Sequence, residues 1–255
     1  LHNAQIYTEE HKIAATLQEQ LMTMPKRITG LEFGYLYRSA SPGAKIGGDF
    51  YDMYAVDKDK VAIVIGDVSG RGLEAAALTS VVKNTLKAYC LQGDSPALVM
   101  NKTNALVKKF SAPSMFITLF FGLLSKSTAT LSYGSAGHPS VILKRAKKVF
   151  LLKTDSPVLG QFSKVSYEEH QQEVKAGDIL IFYTDGLTEA RFGQEFFGQE
   201  RLIKTVKELK FSSVKEIPKL LFHRVWQFSG QQLADDVAIL AVSPGLTETI
   251  AAANN

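Results

Sequence analysis

Residues 45–72 read KIGGDFYDMYAVDKDKVAIVIGDVSGRG, and the organisation of the chain follows from them. Residues 61–65 form an unbroken apolar, mostly β-branched run, the pattern of a buried strand. The run ends in Gly66-Asp67, which carries a carboxylate out of the core at a strand terminus. A second Gly-flanked carboxylate, Asp49, precedes the run, and the polar turn Asp57-Lys58-Asp59-Lys60 links the two. A hairpin over this stretch sets Asp49 opposite Asp67, placing two hard oxygen ligands on one sheet edge. Such a pair suits a divalent cation such as Mg²⁺ or Mn²⁺. It is half of a site, and the other half must come from farther along the chain.

Two further apolar runs carry acids at their ends. Residues 179–183 lead into Thr184-Asp185-Gly186, and Asp235-Asp236 opens the strand expected over 236–242. One acid at a strand end is ordinarily a turn former or cap. Four such places, each with a neighbouring Gly or Asp, point to a shared purpose. Converging carboxylates without a cation would repel one another and protonate, and hard divalent ions remove that repulsion. His138 is the one nitrogen ligand near the set, and no Cys joins it, which disfavours zinc. Two ions about 3.5–4 Å apart form the clamp used for in-line displacement at phosphorus by a bridging water. Metal-dependent phosphoester hydrolysis is therefore the leading reaction class.

The bulk properties agree with a soluble domain. The chain has 255 residues, 45% hydrophobic and 21% charged, with a formal charge of +4. That charge is mild and spread out, so no nucleic-acid partner is implied. The short basic run Lys144-Arg145-Lys147-Lys148 reads as a solvated hairpin end. Cys90 lies in an apolar helical pattern and is expected to be a small core residue. No apolar stretch reaches the roughly 18 residues that span a bilayer. The opening residues LHNAQIYTEEHK carry no signal-peptide pattern, so a cytoplasmic location and no membrane insertion are expected.

Around the acidic positions the elements alternate. A helix is expected over 7–24, with a narrow stripe of Ile13, Leu17, Leu21 and Met24 ended by Pro25. The stripe fits packing on its own domain or a linker and dimerisation helix. A strand pattern covers 31–40. After Asp67 a glycine-rich turn leads to a helix with Leu78, Val81, Val82, Leu86 and Tyr89 at three-and-four spacing. Ser95 caps a second helix carrying Leu98, Val99, Leu106, Val107 and Phe110. A β-rich middle, a long loop over 185–199, two helices (199–209 and 214–228) and a last strand complete the chain. This order predicts one α+β domain of two packed sheets with helices outside.

The ordered series IGGDFYD, GDVSGRGLEAA, FITLFFGLL, YGSAGHP, VLG, GDILIFYTDGLTEA, FFGQERL and DDVAIL resembles the SpoIIE-type (RsbU-like) branch of the PPM metal-dependent protein serine/threonine phosphatases. The resemblance runs in order over about 17–242. It implies a four-layer α-β-β-α sandwich with two mainly antiparallel sheets, and two Mn²⁺ or Mg²⁺ ions at one end. Carried over by motif, Asp49, Asp67, Asp185 and Asp235 are the catalytic acids, acting through metal-activated water. The backbone carbonyl of Val68 is a further ligand, Asp236 a less regular one, and Asp52 a structural neighbour.

The resemblance further implies a phosphorylated STAS-domain (anti-anti-sigma) protein as substrate, in a partner-switching pathway of stress response or sporulation. It favours a homodimer through the N-terminal helix. The expected division is a linker helix at 1–25, a phosphatase domain at 26–243 and a tail at 244–255.

The sequence departs from the wider superfamily in two places. Lys45 stands where eukaryotic relatives carry a phosphate-gripping Arg. Val68-Ser69 stands where they carry a His proposed as general acid; the candidates for that task are a metal-bound water, the leaving serine's own environment and His138, whose alternative reading is a loop residue hydrogen-bonded to backbone. A diguanylate cyclase, suggested by Gly47-Gly48-Asp49-Phe50, lacks its required upstream Asp. A partner-binding regulator that kept the fold and lost the chemistry is the alternative function.

Overall fold

The structure is a computed structural model and describes residues 21–40, 47–112 and 114–245. In chain order the elements are β1 (Leu31–Arg38), β2 (Asp49–Ala55), β3 (Lys60–Val68), α1 (Leu73–Leu91), α2 (Pro96–Phe110), β4 (Ile117–Ser125), β5 (Thr130–Ala136), β6 (Val141–Arg145), β7 (Lys148–Leu152), β8 (His170–Glu173), β9 (Ile179–Tyr183), β10 (Arg191–Phe192), β11 (Glu195–Phe196), α3 (Gly198–Glu208), α4 (Ile217–Phe228) and β12 (Val237–Pro244).

Two five-stranded sheets carry the fold, ordered β1-β12-β9-β6-β7 and β2-β3-β4-β5-β8. Every pairing between their strands is antiparallel. The alternation of side chains along a strand then builds three apolar layers. Val61, Ile63 and Ile65 of β3 meet Phe182, Leu240 and Val242 of the facing sheet. Phe120 stacks on Tyr133 at 5.3 Å and meets Phe182 edge-on at 5.4 Å across the sheets. The opposite face of β3, Ala62 and Val64, packs with Val82 and Leu86 of α1 and Val99 and Val107 of α2. On the far side Ile181 and Ile239 pack with Leu202 of α3 and Leu221 of α4. Both faces of β3 are covered, which is why its sequence reads as a continuous apolar run rather than an alternation. The expected α-β-β-α sandwich is what the chain forms.

Each helix buries only one face. Leu78, Val82, Leu86 and Cys90 of α1 are buried, whereas Val81 is exposed. Leu98 and Phe110 of α2 are likewise exposed. The three-and-four spacing places these residues with the core, but they lie on the flanks of the stripe, beyond the reach of the sheet. Ser95 caps α2, with Pro96 at its first turn.

The basic run near 145 is not simply a solvated tip. Lys144 is buried, and its Nζ donates to the carbonyls of Val206 (2.8 Å) and Lys207 (3.4 Å) at the end of α3. Arg145 grips buried Asp178 at 2.6 Å. The hairpin turn itself lies at Ala146-Lys147, with φ of 51° at Ala146.

The loop expected after Asp185 contains a 3₁₀ turn (Asp185–Leu187) and the small hairpin β10–β11. Strands of two residues leave no periodic trace in a sequence. The helix expected over 214–228 begins as a 3₁₀ turn and becomes α-helical at Ile217. Ile13 and Leu17 of the N-terminal stripe lie outside the described residues. Leu21 lies inside, and its carbonyl accepts a hydrogen bond from Lys83 Nζ. No helix among the described residues is long and apolar enough to cross a membrane.

Candidate metal centre

Asp49 opens β2 and Asp67 sits one residue from the end of β3, and the register pairs them directly. Directly opposed residues in an antiparallel pair point to the same face. Asp185 enters from the other sheet, where β9 ends and the 3₁₀ turn begins. One carboxylate oxygen from each of Asp49, Asp67 and Asp185 lies within 4.8 Å of the other two. Residues separated by more than a hundred positions are thus brought together where two sheets end side by side.

Close backbone approach makes room for this. A Cβ on Gly48 would stand 2.0 Å from the Val68 carbonyl oxygen and 2.4 Å from Asp67 Oδ1. Only glycine fits there, and the same spacing shows that these two oxygens flank a common point. The Val68 N–H donates to the Gly48 carbonyl at 3.0 Å, closing the end of the hairpin.

Electrostatics describe a site short of positive charge. Burial, then the Asp67 carboxylate, hold the Asp49 carboxyl well above the usual carboxylate range, with the Thr184 hydroxyl opposing. Burial, then Asp185 and Asp235, raise Asp67 to about 7. Burial, then Glu189 and Asp235, raise Asp185. Burial and mutual repulsion thus disfavour the charged forms of Asp49 and Asp67, a cost that a divalent cation would relieve. An all-oxygen set of three carboxylates and a nearby carbonyl suits Mg²⁺ or Mn²⁺. The residues present fit the group.

The remaining acids are engaged differently. Asp236 is buried and accepts from Tyr37 Oη (3.1 Å), Ser39 Oγ (2.9 Å) and the Ala40 N–H (2.8 Å). Burial, then Asp236, push the Tyr37 phenol up, so it stays a neutral donor. Asp236 is therefore a bracket between β12 and the end of β1, its oxygens already supplied with donors. Asp235 is exposed, stands outside the three-oxygen group, and pairs with Arg71 at 2.7 Å. Asp52 accepts from the Met53 N–H and pairs with Lys83 at 3.5 Å, a structural position.

His138 is buried, with Nδ1 2.9 Å from Thr118 Oγ1. Burial drives it down to about 3, so it is a neutral imidazole inside the fold. An acid that transfers a proton at neutral pH needs a pKa near the working pH, and these surroundings do not give His138 that role. Lys45 lies outside the described residues.

Thr184 and Arg71 were not singled out from the sequence. The Thr184 hydroxyl donates to Asp49 Oδ2 at 2.7 Å and accepts from the Ala238 N–H at 2.9 Å. The available signals were the Thr of the TDG motif and the Arg of the GRG turn.

A two-sheet sandwich flanked by helices, with an acidic oxygen cluster at one end of the sheets, is the architecture of the PP2C phosphatase fold. The chain belongs to the SpoIIE family: the family model described as Stage II sporulation protein E matches residues 57–244. It is 29% identical over 236 residues to "Phosphoserine phosphatase RsbU" of Bacillus subtilis, covering 91% of this chain and 69% of RsbU. In structure it resembles the SiaA-PP2C domain of Pseudomonas aeruginosa, with a TM-score of 0.81 at 16% identity, covering 95% of this chain and 98% of that one. It also resembles RsbX, solved in complex with magnesium, with a TM-score of 0.65 at 16% identity, covering 86% and 97% of the two chains. At these identities the structural likenesses speak for the fold.

Proposed function

We propose that this chain removes the phosphoryl group from a phosphoserine or phosphothreonine on a regulatory protein of the STAS class, within a bacterial partner-switching pathway of stress response or sporulation. The observation that carries the reading is the convergence of Asp49, Asp67 and Asp185 within 4.8 Å. Asp49, Asp67, the Val68 carbonyl and Asp185 would hold Mn²⁺ or Mg²⁺, with Asp235 beside them for a second ion. Bound ions supply Lewis-acid polarisation of the phosphoryl group and activation of a water.

The chain's own residues supply position. Thr184 fixes the rotamer of Asp49 from the opposite sheet, and the Gly48–Val68 contact holds the strand ends together. Asp236 fastens β12 to residues 37–40, which sets where Asp235 leaves the sheet. The phosphatase domain runs over 26–243, residues 1–25 serve as linker and dimer contact, and 244–255 follow the domain. A cytoplasmic location fits this role.

The test is release of phosphate from a phosphoserine peptide and from a phosphorylated STAS protein with Mn²⁺, for the wild type and Asp67→Ala. Metal-dependent turnover abolished by the substitution supports the reading. No turnover of either substrate by the wild type overturns it and leaves the regulator that lost its chemistry.

A further inference from the structure

The acidic end of the sandwich contains five aspartates: 49, 67, 185, 235 and 236. Among the described residues only Asp235 has an ion-pair partner, and that partner is Arg71. A phosphate dianion arriving here meets an acidic surface, and Arg71 is the protein cation paired into that cluster. Arg71 stands four residues after Asp67 in the turn between β3 and α1.

The turn is anchored at both of its ends. Ser69 is pinned to the approach to β4: its N–H donates to the Phe116 carbonyl (2.9 Å) and its Oγ accepts from the Phe116 N–H (2.8 Å). On the other side the Gly72 carbonyl accepts from the Ala76 N–H, starting α1. Between these anchors Gly70 and Gly72 take φ of 100° and 92° and have open space around them. The backbone of Arg71 is thereby fixed beside the centre while its side chain, 38% exposed, has room to turn.

The guanidinium is under-used. It carries five N–H donors in a planar fork suited to phosphate. One contact, Nη2 to Asp235 Oδ1 at 2.7 Å, is its hydrogen bonding among the described residues. Asp235 Oδ1 also accepts from the Asp236 N–H at 2.8 Å, so the carboxylate is held in place and Arg71 is the more easily exchanged partner.

We propose that Arg71 is the residue that binds the substrate phosphate, and that Asp235 holds its fork over the site until a cation takes that carboxylate. This rests on the phosphatase reading. Lys45 then has no need to fill the place of the missing Arg. Cation and Arg71 compete for Asp235, so the two ligands are linked: a cation on Asp235 frees the fork, and phosphate on the fork frees Asp235.

The experiment compares wild type, Arg71→Ala and Arg71→Lys. Inorganic phosphate is used as inhibitor of p-nitrophenyl phosphate hydrolysis with Mn²⁺, and Mn²⁺ binding is measured separately by calorimetry without phosphate. Arg71→Ala is expected to raise the phosphate Ki and the p-nitrophenyl phosphate KM at least fivefold. Its Mn²⁺ affinity should be equal to wild type or greater, and Arg71→Lys should recover part of the phosphate binding. A smaller rise in Ki, or weakened Mn²⁺ binding in Arg71→Ala, overturns the inference while leaving the phosphatase reading standing. A wild type that neither hydrolyses p-nitrophenyl phosphate nor binds phosphate with Mn²⁺ counts against the phosphatase reading itself.

Discussion

Thr184 Oγ1 donates a 2.7 Å hydrogen bond to Asp49 Oδ2 across 135 residues of chain, joining the end of β9 in one sheet to the start of β2 in the other. The same hydroxyl accepts from the Ala238 N–H, so its direction is determined. Partners of this kind set ligand orientation, and losing one ordinarily costs about 10–100-fold in metal affinity or activity. Thr184→Val keeps the shape and removes the donor. It should weaken Mn²⁺ binding by roughly that factor, read by calorimetry, while far-UV circular dichroism stays unchanged. Thr184→Ser should restore most of the affinity.

Asp67 is held ionised with difficulty, because burial comes first and Asp185 and Asp235 follow. Asp67→Asn removes one of the repelling charges and one of the ligands. Without metal the variant should melt higher than the wild type. Relief of about 1 kcal/mol corresponds to roughly 2–4 °C for a domain of this size. With millimolar Mn²⁺ the wild type should gain stability by mass action and the variant should not. Thermal unfolding with and without Mn²⁺ reads both, and a variant that melts lower in the absence of metal would contradict the repulsion.

His138 gives a pH signature of its own. Its folded pKa is depressed to about 3 by burial, below its ordinary value of 6.5. The unfolded chain therefore binds a proton that the folded chain refuses. This contribution is fully present above 6.5 and is lost progressively as the pH falls toward 3. Between pH 6.5 and 5 the loss amounts to about 2 kcal/mol. Because the raised Asp67 titrates with the opposite sign over the same interval, the readout is a difference: from pH 7.5 to 5.0 in urea unfolding, wild type should lose about 2 kcal/mol more, or gain that much less, than His138→Gln. An unchanged pH dependence in the variant would assign the effect elsewhere.

Lys144 ties β6 to the last turn of α3 through two carbonyls. Its charge also suits the negative end of a helix dipole. Lys144→Met should cost about 1–3 kcal/mol, since the buried Val206 carbonyl loses its donor and the part-buried Lys207 carbonyl loses a weaker one. Chemical denaturation measures the loss, and phosphatase activity at 25 °C should be untouched because the contact lies away from the centre.

Much of this molecule can be read from its residues, and the parts that cannot share a physical cause. Residues 61–65 show a strand because both of its faces are apolar, and Asp49 and Asp67 show a site because the short turn between their strands makes them register partners. Asp185 is legible as another acid at a strand end. Its convergence with the first two is not, since that depends on how two sheets dock. Thr184 and Arg71 act through contacts with Asp49 and Asp235, at sequence separations of 135 and 164, which no local pattern encodes. The four acidic motifs look equivalent in sequence. Their neighbours make them different, three converging, Asp235 ion-paired, and Asp236 saturated by Tyr37, Ser39 and Ala40. Lys144 misleads for the same reason, because a basic run looks solvated until one of its side chains meets a helix end.

The burial of β3 on both faces also bears on how the chain finds its structure. A strand that is apolar on one face is held in register by that pattern, because a one-residue slip exposes its core set. Val61, Ala62, Ile63, Val64 and Ile65 lack that safeguard, as a slip exchanges one apolar set for another. Two polar devices replace it. At one end of the hairpin the Asp57 carboxylate accepts from the N–H groups of Asp59 and Lys60, both at 2.7 Å, and fixes the turn. At the other end a slip would put Asp49 opposite Gly66 or Val68 and turn Asp67 to the other face. A cation needing both carboxylates would therefore favour the correctly paired hairpin, giving the acidic pair a part in register as well as in ligation.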